Sequence, residues 1–376
     1  MNKKSIISLF SGCGGLDIGF HQKDFYSAIC IESNPVMCES LQANNVSENI
    51  ICNEIQNISN EQLEKISQIR KHEVDLILGG PPCPAYSKSR FYRKEMTHGT
   101  DDQSFQTVKE YFRIVEFYRP KMFVFENVHT FAAKRQKGAL DYVLQTASKL
   151  GYDVEFQILN SVDYGVPQKR KRIFIVGILI GNQFKFPLPT HRNPEDCTLI
   201  NQHLPVWKTA GEAIMDLDIE EHDANLPRHF AGGKHHHLLK DIPPGDNYLF
   251  YTEKRGHKKP QFKWRSRYWS FLLKLSPNLP SWTIQARRSN NMGPLHWRNR
   301  ILTIAEIKRL QTFPDSYLLA GTIENQWRQI GNAVPPLLAE CIAHEVKTAL
   351  DWIEKKQMKE SNNACCFATN YSRSNC

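Results

Sequence analysis

Residues 5–20 read SIISLFSGCGGLDIGF, and the first half of the chain is read outward from them. The apolar run 5–10 has the length and composition of a buried strand. Ser11, Gly12, Cys13, Gly14 and Gly15 then break it with a turn whose glycines accept left-handed backbone and let main chain approach a neighbour closely. Leu16, Ile18 and Phe20 start a helical pattern. Strand, glycine turn and helix in that order open an α/β unit. The alternation continues with a strand at 27–31 that ends at Glu32 and a helix at 61–70 ahead of the apolar run 74–78. A helix at 107–118, a strand at 122–125, a helix at 140–150 and strands at 154–159 and 172–177 follow. Such alternation predicts an α/β fold with a mostly parallel sheet.

After Phe186 the pattern changes. Pro, His, Asn and Asp replace the apolar runs, and residues 225–300 carry fifteen Lys and Arg against three Asp and Glu. The 376 residues together have a formal charge of +9, so the basic excess belongs to that segment and the remainder is slightly acidic. Lys263, Arg265 and Arg267 alternate there with Trp264, Tyr268 and Trp269, which joins charge for phosphates to ring surface for bases. An aromatic core beneath a solvated basic face is the competing reading. Helical spacing returns at 304–310 and at 334–352, and the residues from Lys355 onward are polar. These shifts divide the chain into a large domain at 1–190, a small irregular domain at 191–282, a return segment at 283–355 that completes the large domain, and a flexible tail at 356–376.

Ten cysteines without a CxxC pair or a repeating spacing argue against a zinc ribbon and a disulfide framework, and fit a reducing cytosol. The apolar stretch near the start is too short for a signal peptide, and no run reaches transmembrane length. His235, His236 and His237 are consecutive and lack partner cysteines or acids, so no metal is assigned.

Residues 79–87 read GGPPCPAYS. A strand end followed by two glycines and two prolines makes a stiff loop that presents Cys83 at the carboxyl edge of the sheet. A thiol held rigidly there suits nucleophilic catalysis. A buried structural cysteine is the ordinary alternative, but proline on both sides of Cys83 argues against simple packing.

Phe10-Ser11-Gly12-Cys13-Gly14-Gly15, Pro81-Pro82-Cys83, Glu126-Asn127-Val128, Gln168-Lys169-Arg170-Lys171-Arg172 and Gly331-Asn332-Ala333-Val334 resemble, in order, the motif set of the DNA cytosine-C5 methyltransferases of bacterial restriction-modification systems. Residues 309–314 resemble the family's penultimate motif, and residues 191–282 lie mainly outside the match. The resemblance implies a Rossmann-like, S-adenosylmethionine-dependent large domain and a small target-recognition domain. It also implies S-adenosylmethionine as methyl donor, double-stranded DNA as substrate, a companion restriction endonuclease, and a monomeric cytoplasmic enzyme.

Carried over residue by residue, the resemblance places Phe10, Gly12, Gly14, Gly15 and Leu16 around S-adenosylmethionine, with Glu32 on its ribose. Pro81 and Asn332 belong to the region where the cofactor meets the Pro-Cys loop. Cys83 becomes the nucleophile, Glu126 holds the target cytosine at N3 and its exocyclic amine, and Arg172 supports that base or its phosphate. Arg170 and Arg172 are sources of positive field for the thiol. Two departures stand out: Asn53-Glu54-Ile55 replaces the common Gly-Asp-Ile, leaving Glu54 as the acceptor for the adenine amine, and Pro84-Ala85-Tyr86 follows the nucleophile where many members have Gln and an aromatic. In the basic segment, Lys258 and Lys259 are assigned to phosphates, and at least one of Arg265 and Arg267 to a guanine edge in the major groove.

These roles answer a chemical need. Cytosine C5 is a poor nucleophile until a thiolate adds at C6, and the charge that develops needs a proton or hydrogen bond at N3. Two rivals stay open: an RNA cytosine methyltransferase of the tRNA-modifying branch, and a non-catalytic nucleic-acid binder that retains the fold.

Overall fold

Strand β1 (Lys4–Leu9) is buried along its whole length, although its side chains point alternately to opposite faces. A strand apolar on both faces must lie inside a sheet covered on both sides. The computed structural model bears this out; it describes residues 3–82, 105–133, 137–181, 183–218 and 229–373, so Cys83 lies outside the described residues. After β1 come α1 (Gly15–His21), β2 (Phe25–Glu32), α2 (Pro35–Ala43), β3 (Ile50–Cys52), α3 (Asn60–Ser67) and β4 (Leu76–Gly79). Then follow α4 (Gln106–Tyr118), β5 (Met122–Val128), α5 (Lys137–Lys149), β6 (Asp153–Asn160), β7 (Gln168–Lys169) and β8 (Lys171–Ile178).

Seven strands form one sheet in the order β3-β2-β1-β4-β5-β8-β6. All pairs from β3 to β5 are parallel, as the alternation predicts, while β8 runs antiparallel to both β5 and β6. The reversal has a simple cause: residues 161–170 hold, besides the two residues of β7, only a single 3-10 turn (Ser161–Tyr164) and are too few for the crossover that a parallel return from β6 requires. From β1 the chain builds outward to β2 and β3 on one side, then resumes with β4 and β5 on the other. A crevice therefore opens at the carboxyl ends of β1 and β4, where a doubly wound sheet binds its ligand.

Helix α2 is absent from the sequence expectation, yet its start follows the rules: Asn34 caps it by accepting from the Val36 amide, with Pro35 at its first position. Ile7, Leu9 and Ile77 pack with Leu63 of α3, Val108 and Tyr111 of α4, and Ala139 and Val143 of α5. The other face packs Ile6, Leu76, Leu78, Met122 and Val124 against Phe20 of α1 and the apolar stripe of the last helix, α9 (Pro336–Arg373).

The chain between β8 and α9 is mostly turns and short 3-10 pieces, with α6 (Ala210–Ile214), β9 (Ser281–Trp282), α7 (Ile304–Leu310) and α8 (Ile323–Asn332). β9 pairs with β7. The core of this second lobe, including Leu239, Tyr248, Leu249, Leu272 and Leu275, continues without a break into Leu295, Ile301, Leu302 and Ile307. Isolated bridges join Phe271 to Met292, Lys274 to Leu295 and Phe230 to Arg300. Packing thus carries the small lobe past the boundary expected at 282, because its few regular elements must borrow apolar surface from the return segment.

Helix α9 (Pro336–Arg373) packs beside β1, where buried Lys4 meets Glu354 at 2.5 Å and Asp351 at 3.4 Å. Its backbone stays helical to Arg373, through most of the span expected as a tail at 356–376. No glycine or proline after Pro336 interrupts it. Among the described residues, no helix is long and apolar enough to cross a membrane.

Helices α1 and α9 touch so closely that a Cβ on Gly19 would stand 2.5 Å from both the Ala339 Cβ and the Pro336 carbonyl oxygen. Gly19→Ala is expected to lower stability by about 1–3 kcal/mol through overpacking. A urea melt reads this as a lower midpoint, and an unchanged midpoint would show that the helices are not held at this distance.

Candidate active site

The turn after β1 is held from two directions. Phe10, Gly12 and Gly14 all have positive φ, at 55°, 57° and 78°. Ser11 donates its amide to the Ile31 carbonyl at 3.1 Å, which binds the turn to the end of β2. The Tyr317 hydroxyl donates to the Cys13 carbonyl at 2.7 Å, and a Cβ on Gly15 would stand 2.4 Å from the Val334 carbonyl oxygen. Gly14 and Gly15 thus admit the return segment. Gly12 differs, since a Cβ there would meet nothing within 4 Å. Its bare backbone faces open space in the crevice.

Glu32 stands at that opening with both carboxylate oxygens anchored, one by the Gly12 amide and one by the Asn34 amide, each at 2.9 Å. Leu16 is half-buried. Glu54, exposed just past β3, accepts from Gln56 at 2.5 Å. Glu32 and Glu54 therefore follow neighbouring strand ends at one side of the crevice.

At its other side, Gly79 and Gly80 end β4. A Cβ on Gly80 would lie 2.5 Å from Glu126 Oε2, so the missing side chain is the space that the carboxylate occupies. Pro81 is buried; its carbonyl accepts from Asn127 Nδ2 at 3.2 Å, and the Pro82 carbonyl accepts from the Thr107 hydroxyl at 3.3 Å. The loop leading to Cys83 is thus tied to β5 and α4. Gly80, Asn127 and Thr107 received no role from the sequence, although Gly80 and Asn127 lie inside the quoted stretches.

Val128 pairs with Arg172 across β5 and β8, which makes Glu126 a diagonal neighbour of Arg172 on the same face. Arg172 Nε reaches Glu126 Oε1 at 2.9 Å in a nearly buried ion pair. Burial pushes the Glu126 carboxyl above the usual carboxylate range, against the pull of Arg172 and Arg170. The same burial pushes the Arg172 guanidinium below its ordinary value, against the pull of Glu126. A carboxyl in this setting is suited to hold a proton where an exposed one would lose it.

Arg170 occupies a different place from its partner. Its guanidinium is fully buried and donates to the carbonyls of Ile284 at 3.1 Å, Gly331 at 2.7 Å and Asn332 at 3.2 Å. Expected among the catalytic residues, Arg170 therefore turns its guanidinium to backbone carbonyls of the return segment, whereas Arg172 turns to Glu126. Asn332 contributes its backbone carbonyl to this contact, and the residue itself is exposed.

Burial suppresses the thiols of Cys13, Cys30 and Cys341 as nucleophiles. Burial pushes Cys13 up to about 12 and Cys341 up to about 11, and drives Cys30 well above the usual thiol range. Lys258, Lys259, Arg265 and Arg267 are all exposed on the second lobe. The neighbouring histidines serve packing: the His235 ring meets Phe262 and Phe271 edge-on, and His236 Nδ1 lies 2.6 Å from the Ala231 carbonyl oxygen.

Removing Arg172 takes away the cation that favours the Glu126 carboxylate. Arg172→Met should therefore move the Glu126 titration to higher pH, and with it the limb on which activity falls as that carboxyl loses its proton. Carbon-13 NMR of labelled glutamate measures the shift, and a titration that stays put or falls would separate Arg172 from the proton on Glu126.

Comparison with known proteins agrees with this geometry. The chain is 32% identical over 374 residues to the Type II methyltransferase M.SacI of Streptomyces achromogenes, covering 93% of this chain and 94% of that one. It is 30% identical to the Type II methyltransferase M.NgoPII of Neisseria gonorrhoeae, covering 93% and 97%. A prophage-encoded DNA modification methyltransferase of E. coli shares the fold at a TM-score of 0.66 with 21% identity, over 93% of this chain and all of its own. Residues 4–348 match the profile of the C-5 cytosine-specific DNA methylases, and the chain belongs to that family.

Proposed function

We propose that the protein transfers a methyl group to C5 of a cytosine within a specific sequence of double-stranded DNA, as one arm of a restriction-modification system. The observation that carries this reading is the buried Glu126 carboxyl, paired with Arg172 and seated over Gly80 beside the loop that leads to Cys83. DNA occupies the cleft between the lobes, with the cytosine turned out of the helix to reach the carboxyl. The enzyme works as a monomer in the bacterial cytosol alongside a cognate restriction endonuclease.

S-adenosylmethionine fits the residues at the other side of the crevice. Gly12 leaves open space above bare backbone, and the anchored Glu32 carboxylate is an acceptor suited to a ribose diol. Phe10, Gly12, Gly14, Gly15, Leu16, Glu32 and Glu54 make up this side of the site, and Pro81 and Asn332 border it where the cofactor meets the Pro-Cys loop. When bound, S-adenosylmethionine supplies the methyl group that C5 receives.

The chain's own residues prepare the base. The Cys83 thiolate adds to cytosine C6 while Glu126 holds a proton at N3, so charge collects on C5 without stranding an anion on the ring. Arg172 keeps the carboxyl aimed. Once C5 is methylated, its proton leaves, the Cys83 thiolate is expelled from C6 and the ring regains its aromaticity. Lys258 and Lys259 contact phosphates, whereas at least one of Arg265 and Arg267 reads a guanine edge.

Bisulfite sequencing of DNA from cells expressing the protein identifies the target, and failure to find a methylated cytosine would overturn the proposal. Cys83→Ser is expected to abolish methylation while cofactor binding persists, because a hydroxyl is hardly ionised near neutral pH. Glu126→Gln should slow turnover by about a hundredfold or more. Turnover within a few fold of the parent would remove either residue from its role.

Replacing both Lys258 and Lys259 with alanine should weaken binding to every sequence alike and lower the slope of log affinity against log salt by about two. Titrations at several salt concentrations check this, and a changed sequence preference would reassign the pair to base reading.

A further inference from the structure

Residues 283–293 run between β7, beside the Glu126–Arg172 pair, and the second lobe, and both ends of the segment are tied down. At the first end the Thr283 hydroxyl donates to the Lys169 carbonyl at 2.6 Å, the Ile284 amide donates to Gln168 Oε1 at 3.0 Å, and the Gln285 carbonyl accepts from the Trp327 indole at 2.8 Å. At the other end the Leu272 amide donates to the Asn291 carbonyl and the Gly293 amide to the Ser270 carbonyl, each at 2.7 Å. Between them the Ser289 hydroxyl accepts from the amides of Asn291 at 3.3 Å and Met292 at 3.1 Å, which fixes the turn. Lys169 is three residues before Arg172, within about 10 Å along extended chain, and Ser270 directly follows the basic aromatic stretch 263–269. A duplex that delivers its cytosine to Glu126 and meets that stretch therefore lies along this segment.

Gln285, Arg287, Arg288, Ser289, Asn290 and Asn291 line an open recess of about 390 Å³ here. Several of their polar groups are used within the fold: Arg288 donates to Glu324 of α8 at 3.4 Å, and Gln285 Nε2 donates to the Ser270 hydroxyl at 3.3 Å. Arg287 differs. It is exposed, and among the described residues its guanidinium meets no carboxylate, carbonyl or ring. Arg265 and Arg267, by contrast, lie against the rings of Trp264 and Phe271, at 6.0 and 5.6 Å from the ring centres.

A guanidinium carried on a fixed loop without an internal acceptor is set to meet one outside. Its surroundings decide which kind. A phosphate presents acceptors alone, and a site for it gathers cations and donors. In this recess the second guanidinium, Arg288, already faces Glu324, and the remaining lining is amide and hydroxyl, groups that donate and accept alike. Such a mixed lining complements the edge of a base pair, which also presents both, and the arginine fork matches the paired acceptors O6 and N7 of guanine. We propose that Arg287 reads a guanine of the recognition sequence by its major-groove edge, an inference that rests on the DNA-methylating reading above.

Full-length parent and Arg287→Ala proteins are compared by methylation of a duplex library with randomised flanks, and thermal melts confirm folding. Both are then given duplexes in which each guanine of the site mapped by bisulfite sequencing is replaced in turn by 7-deazaguanine, which lacks the N7 acceptor and still pairs. Arg287→Ala should lose about tenfold or more of the preference for guanine at one position and keep the other preferences. At that position 7-deazaguanine should slow the parent by about tenfold and leave Arg287→Ala unchanged. Preferences unchanged at every position would overturn the proposal, and so would a parent indifferent to 7-deazaguanine throughout, a result that needs no variant. Equal slowing of both proteins at every sensitive guanine would assign the reading to another residue. A uniform loss on all sequences, with the salt slope lowered by about one, would make Arg287 a phosphate contact instead. Absence of methylation by the parent on any duplex would overturn the DNA-methylating reading itself, and this assignment with it.

Discussion

The Arg170 guanidinium donates to the carbonyls of Ile284, Gly331 and Asn332, and none of the residue reaches solvent. Gly331 and Asn332 end α8, where a helix leaves carbonyls without intrahelical partners and carries the negative end of its dipole. A buried cation placed there satisfies those carbonyls through its two terminal nitrogens. Ile284 belongs to the chain that returns from the second lobe. One side chain next to β8 therefore joins the sheet, the second lobe and the helix before α9. Burial and Arg172 work against its charge while Glu126 supports it, so the strap and the Glu126 carboxyl belong to one electrostatic unit.

Around that strap, backbone approaches do most of the positioning. Gly331 lies against Ala286, where a Cβ would stand 2.6 Å from the Ala286 Cα, and the Trp327 indole donates to the neighbouring Gln285 carbonyl at 2.8 Å. Buried Gln168 accepts from the Ile284 amide at 3.0 Å and donates to the Leu310 carbonyl at 3.3 Å. The glycine turn after β1 meets the same return segment through Gly15 and Tyr317. Contacts this close leave no room for added side chains, which explains why glycine recurs where distant segments meet.

Burial acts in opposite senses on the two kinds of reactive group. It raises Glu126 and so favours the protonated carboxyl. It also raises Cys13 and Cys30, keeping those thiols protonated and out of the chemistry. A carboxyl gains a function from desolvation, whereas a thiol nucleophile loses one.

By itself the sequence determined the α/β alternation, the glycine turn, the end of β4 and the motif residues, because these depend on local periodicity and on residues with few conformational alternatives, glycine and proline above all. It also placed Glu32 and Glu126 at strand ends. The tertiary structure alone decided the reversal of β8, which puts Arg172 diagonal to Glu126, and the separation of Arg170 from Arg172 into strap and ion pair. Two arginines with one residue between them look alike in a linear pattern; the carboxylate that Arg172 meets comes from another strand, and the carbonyls that Arg170 meets lie more than a hundred residues away. The extent of the second lobe was hidden for the same reason. Its core is assembled from irregular segments with no period to read, and only long-range packing shows that it continues to Leu302 and beyond.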